Sequence, residues 1–140
     1  MTDAPAPRSQ QPDEWLRHAR SDLALAQTPP PPGVLLQLLC FHAQQAAEKA
    51  IKAVILHLTQ SEPAFSHSLR RLLRDAEQAG APPSPLAAEA AALLTQYAVL
   101  TRYPDDIEDI DEAEWQQAVA DARAVVEWAG GVVGTAPDAP

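Results

Sequence analysis

Cysteine is almost absent. Cys40 stands alone among 140 residues, so no disulfide can form within the chain. A solitary thiol of this kind fits a small buried hydrophobe in a reducing compartment, and the expected location is the cytoplasm. Aromatic residues are scarce at 5%, against 46% hydrophobic overall, which argues against a β-sandwich and its appetite for aromatic and β-branched side chains. No run approaches the ~18 consecutive apolar residues of a membrane span. The opening MTDAPAPRSQQPDEW has no apolar stretch of the kind a secretory leader needs. Positive charge is also in deficit. The formal net charge is -9, so the broad basic face of a general nucleic-acid binder is missing. The imbalance is uneven: near parity from Arg8 to Glu77, then two arginines against nine carboxylates from Arg102 to Glu127.

Signature motifs are missing as well. There is no His-x-x-x-His or Cys-x-x-Cys pair for zinc, no Walker loop, no dinucleotide fingerprint and no nucleophile elbow. The acidic run near residue 105 lacks the central glycine and the ligand rhythm of a calcium loop, because Ile107 and Ile110 interrupt it. No metal and no cofactor is expected.

What the chain does have is alanine and leucine at helical spacing, punctuated by proline and glycine. Helix one is expected from Pro12–Asp13, carrying Trp15, Leu16, Ala19, Leu23 and Ala26, and stopped by PPPPG at 29–33. Helix two runs from about Val34 to Thr59, with Leu36, Leu39, Ala43, Ala46, Ala47, Ala50 and Val54 on its apolar face. Helix three spans His67 to Ala79, capped by Ser66 and closed by Gly80. Helix four starts at Ser84-Pro85 and reaches Arg102, with Leu86, Ala90, Leu93, Leu94, Tyr97 and Leu100 as its stripe. Helix five opens at Asp111, with Glu114 three residues on, and ends before Gly130-Gly131. With short connections and no strand pattern, the fold class is all-α: an antiparallel up-and-down bundle of four or five helices over 12–130. Residues 1–11 and 131–140 read as disordered tails.

Two stretches could carry chemistry. In FHAQQAAEKAIKAVILHL, residues 41–58, His42, Gln45, Lys49 and Lys52 fall in one stripe at intervals of three, four and three. The stripe is either a solvated polar face, with Glu48 pairing Lys52 and Gln45 facing Lys49, or a groove. In a groove the lysines would attract phosphate and His42 and Gln45 would offer hydrogen bonds. In TRYPDDIEDIDEAE, residues 101–114, Arg102 and Tyr103 end one helix and seven carboxylates follow. The arginine can complete a helix dipole, and the acids can serve the next helix's first turn. Alternatively Asp105, Asp106, Glu108 and Asp109 form a loop that docks a basic partner. His18 and Asp22 are spaced for a surface pair, and His67 for a helix start.

Three pieces in order, WLRHARSDLALA at 15–26, FHAQQAAEKAIKAVI at 41–55 with HSLRRLL at 67–73, and YAVLTRYPDD at 97–106, resemble the HEPN domain family (higher eukaryotes and prokaryotes nucleotide-binding). The resemblance spans about Trp15 to Trp128. It implies a helical bundle, commonly homodimeric, of a kind encoded beside a minimal nucleotidyltransferase in toxin–antitoxin pairs. It also implies that ribonuclease members carry an arginine followed four to six residues later by histidine. Arg102 matches the arginine, but Ile107, Glu108 and Asp109 stand where the histidine belongs. The expectation is therefore a dimeric partner of a minimal nucleotidyltransferase that binds nucleotide or RNA through His42, Gln45, Lys49, Lys52, Arg102 and Tyr103 without cleaving it. The rivals are a divergent metal-independent ribonuclease using Arg102 with His42 or an acid, and a purely structural helical adaptor.

Overall fold

The computed structural model describes residues 11–98 and 109–134. Among these residues five α-helices form an antiparallel bundle: α1 (Pro12–Ala26), α2 (Leu36–Thr59), α3 (Leu69–Gln78), α4 (Pro85–Leu94) and α5 (Glu112–Val133). A 3-10 turn, Thr95–Tyr97, continues α4. No strand occurs among the described residues. None of their helices is long and apolar enough to cross a membrane.

α2 is the axis of the molecule. It packs most extensively on α1 and α5 and also meets α3 and α4. Its burial therefore runs almost all round: besides the expected apolar face, Cys40, Ile51, Ala53, Ile55 and Leu56 are buried. A central helix of this kind needs small residues where neighbours approach, and Ala43, Ala46, Ala47 and Ala50 supply them at 0% exposure. The outer helices follow the sequence closely. Leu16, Ala19 and Ala26 of α1, Leu69, Leu72, Leu73 and Ala76 of α3, and Trp115 through Ala129 at helical spacing on α5 all face the core. The buried Trp115 indole donates to the Ala26 carbonyl at 2.7 Å, tying the start of α5 to the end of α1. An indole N–H left without an acceptor there would cost about 1–3 kcal/mol.

Four boundaries differ from expectation. α3 begins at Leu69, because Ser68 rather than Ser66 accepts the Arg71 amide; the Ser66 hydroxyl instead accepts the Ser68 amide. α2 starts at Leu36, two residues late, from an extended Leu35. α4 is α-helical only to Leu94, and it turns Ala87, Ala90, Ala91 and Leu94 inward, leaving Leu86 and Leu93 exposed. Alanine permits closer approach to α5 than the two leucines would. α5 passes straight through Gly130-Gly131 to Val133, where Val132 and Val133 pack on the core. Packing there outweighs the ~1 kcal/mol helix penalty of each glycine. Gly134, at φ 82, closes the helix in the left-handed conformation that glycine adopts without strain.

Candidate functional site

The four stripe residues of α2 lie in the same region, yet none sits on an open polar face. Because α2 is surrounded, their polar ends meet groups within the fold. Lys49 Nζ donates to Asp22 Oδ2 of α1 at 2.6 Å, and His42 Nδ1 lies 3.2 Å from Asp22 Oδ1. One carboxylate thus holds two of the four. Gln45 donates to its neighbour Gln44 Oε1 at 2.8 Å rather than facing Lys49. Lys52 is buried; it donates to Glu48 Oε2 at 3.1 Å and stands 5.9 Å from the Trp15 ring centroid, within range of a cation–π contact. The expected Glu48–Lys52 pair is present, but inside the molecule rather than on its surface.

Gln44 and Glu48 are the residues that sequence reading undervalued. They are 0% and 4% exposed. Glu48 Oε1 accepts from Gln44 Nε2 at 3.4 Å and lies 3.0 Å from His67 Nδ1, while Gln44 Nε2 also reaches the His67 carbonyl at 3.4 Å. Among the described residues no buried side-chain polar atom lacks a partner. Gln44, Glu48 and Lys52 are spaced four apart, a visible signal of stacking. Nothing in the spacing shows that a loop covers them. His67, read as a plain helix-start residue, is the piece that closes the network. His18 remains exposed and does not bond Asp22, which turns to α2 instead.

The second candidate stretch is only partly in view. Arg102, Tyr103, Asp105, Asp106 and Glu108 lie outside the described residues; Asp109 is exposed. The described residues that border the undescribed segment, Tyr97 on one side and Glu114 on the other, both act on Cys40 of α2. Burial pushes the Cys40 thiol up to about 12, with Glu114's charge adding to it. Burial likewise raises the Tyr97 phenol, with Cys40 and Glu114 contributing. The Thr95–Tyr97 turn packs directly on α2. Asp111 caps α5 by accepting the Glu114 amide at 2.8 Å, so this carboxylate has a structural task. No grouping of three or more potential metal ligands exists among the described residues.

Comparison with known proteins extends this picture. A family model described as the HEPN domain matches residues 12–132. The crystal structure of TT1696 from Thermus thermophilus is similar at 30% identity and a TM-score of 0.73, covering 89% of this chain and 99% of that one. The crystal structure of ST0689, described as an archaeal HEPN homologue, shares the fold at 24% identity and a TM-score of 0.68, covering 88% and 98%. No match is found among curated proteins.

Proposed function

We infer the function from one premise: this chain belongs to the HEPN domain family. We propose that it is the dimeric, nucleotide- or RNA-binding partner of a minimal nucleotidyltransferase in a toxin–antitoxin-type pair, and that it does not itself cleave RNA. The observation carrying this reading is the sequence Arg102-Tyr103-Pro104 followed by Ile107, Glu108 and Asp109 where a ribonuclease would need histidine. Cleavage without a metal requires one group to take the 2′-hydroxyl proton and another to protonate the leaving oxygen, and near neutrality histidine suits both. Carboxylates at that position would repel phosphate instead.

The proposed ligand contacts are His42, Gln45 and Lys49 along the seam between α1 and α2, Lys52 behind them, and Arg102 with Tyr103. Lys49 would exchange part of its bond to Asp22 for a phosphate oxygen. Asp109, with Asp105, Asp106 and Glu108, is proposed to dock a basic surface of the partner. Affinity isolation of the tagged protein from its own cells tests the pairing: a nucleotidyltransferase should co-purify, and its consistent absence counts against the reading. Nucleotide binding that is unchanged in Lys49→Ala would move the ligand away from the seam.

One observation keeps a second reading in play. The carboxylate of Asp22 fixes His42 through Nδ1, which leaves Nε2 as the atom able to exchange a proton. A ribonuclease built on His42 and Arg102 predicts cleavage of mixed RNA that disappears in both His42→Ala and Arg102→Ala. No cleavage by the parent protein favours the non-catalytic partner.

A further inference from the structure

Two groups of cations stand apart among the described residues. Arg17 pairs with Glu14, Lys49 with Asp22 and Lys52 with Glu48, while Arg123 donates to Gln27. Arg70, Arg71 and Arg74 of α3 are exposed, and among the described residues none has a carboxylate within ion-pair distance. They occupy the outer face of the helix, opposite Leu69, Leu72, Leu73 and Ala76. Their placement also breaks a local rule. α1 and α5 begin with acids in the first turn, Asp13 and Glu14, then Glu112 and Glu114. α3 has no acid there and carries Arg70 and Arg71 instead, against the positive end of its dipole. Local rules broken without internal compensation concentrate at functional surfaces.

An exposed aromatic ring lies on the approach to the same helix. Phe65 is 94% exposed, which forfeits its whole hydrophobic contribution to folding. It is nonetheless held in place. The His67 ring meets it edge-on at 5.8 Å, and His67 is pinned by the buried Glu48 through Nδ1 and by Gln44 through its carbonyl. Ser68 then caps α3. The buried polar network of α2 therefore anchors, through His67, the segment that leads from Phe65 to the start of α3.

We propose that the outer face of α3, formed by Arg70, Arg71 and Arg74, binds single-stranded RNA together with Phe65 on the segment that leads into the helix. This rests on the functional reading above and extends it, adding a second nucleic-acid contact outside the α1–α2 seam. The guanidinium groups engage successive phosphates, and Phe65 stacks on an unpaired base. The choice of RNA over an acidic protein rests on the pairing of two chemistries, guanidinium forks for phosphates and an exposed ring for a base face.

The test uses the full chain, a short labelled oligo(U) RNA and heparin as a polyanion without bases, with anisotropy read over a range of salt. The triple variant Arg70→Gln/Arg71→Gln/Arg74→Gln should weaken RNA binding at least ~tenfold and flatten the salt dependence by about 0.7 for each phosphate no longer engaged. Phe65→Ala should weaken RNA binding by roughly tenfold with little change in that slope, and leave heparin binding unaltered. Arg17→Gln, an exposed paired arginine on α1, should bind RNA like the parent. Parent-like binding by the triple variant overturns the proposal while leaving the functional reading intact. A parent that binds no RNA at all ends both this proposal and the ligand part of that reading. Retained RNA binding with loss of an acidic protein partner would make the face a protein dock and also overturn the assignment.

Discussion

Two regions of this bundle hold nearly the same residue types and use them in opposite ways. On α2 the lysines meet carboxylates within the fold: Asp22 spans His42 and Lys49, and Glu48 spans His67 and Lys52. On α3 three arginines are left facing solvent without such partners among the described residues. The difference comes from position. α2 is enclosed by other helices, and a charge brought into a low-dielectric surrounding must be matched or neutralised. α3 sits at the edge and can keep cations hydrated at little cost. A basic residue is therefore read as a binding group only together with its neighbours, and the charges of the α2 stripe are matched within the fold.

The largest expected effect breaks the enclosed region. Glu48→Ala leaves Lys52 buried without its partner and should destabilise by about 3–5 kcal/mol in denaturant unfolding. Replacing both, Glu48→Met with Lys52→Met, should recover much of that loss, since apolar groups of similar volume need no counter-charge. If the double variant is as unstable as the single one, the ion pair is not the source of the effect.

The next change cuts the link between the two regions. His67→Ala removes the bond to Glu48 and the support of Phe65, and should lower stability by about 1 kcal/mol. Faster amide exchange confined to residues 65–71 would show the loosened approach to α3. A similar loss, about 1 kcal/mol, is expected for Asp111→Ala, which removes the α5 cap without touching either region. It serves as a measure of an ordinary local defect.

Acid dependence sharpens the comparison at a third carboxylate. Asp121 is buried on α5, and burial raises its pKa above the usual carboxylate value, opposed by a bond from Gln117 and reinforced by Glu89. Among the described residues Asp121 has no cation to match it, unlike Asp22 and Glu48. With the folded pKa above the unfolded one, its favourable contribution is complete below the unfolded value and is lost as pH rises through the folded value. Asp121→Asn should thus be more stable than the parent at neutral pH, and the gap should close in acid. The smallest effect belongs to α3. Arg70→Gln with Arg71→Gln relieves charge at the positive helix end and should raise stability by about 0.3–1 kcal/mol at low salt, fading as salt is added.

Much of the architecture was readable in particular residues. Pro12, Asp13 and Glu14 announce α1, Ser84-Pro85 announces α4, and Asp111 with Glu114 announces α5, because capping chemistry is local. The same locality explains the miss at α3, where Ser66 and Ser68 both qualify as caps and only the folded backbone selects between them. At Gly130-Gly131 a local stop signal was overridden by burial against the core. The stripe of α2 was found by spacing, but Gln44 and the central role of Glu48 were not, since their partners lie 19 to 23 residues away at His67.

By itself the sequence determined that the chain makes amphipathic helices, where most of them begin, and that no histidine follows Arg102. Those properties depend on spacing and on neighbours within a turn. Only the tertiary structure decided that the lysines of α2 are enclosed and matched while the arginines of α3 remain open. That outcome depends on which helix occupies the centre, and centrality is a property of all the helices packed together.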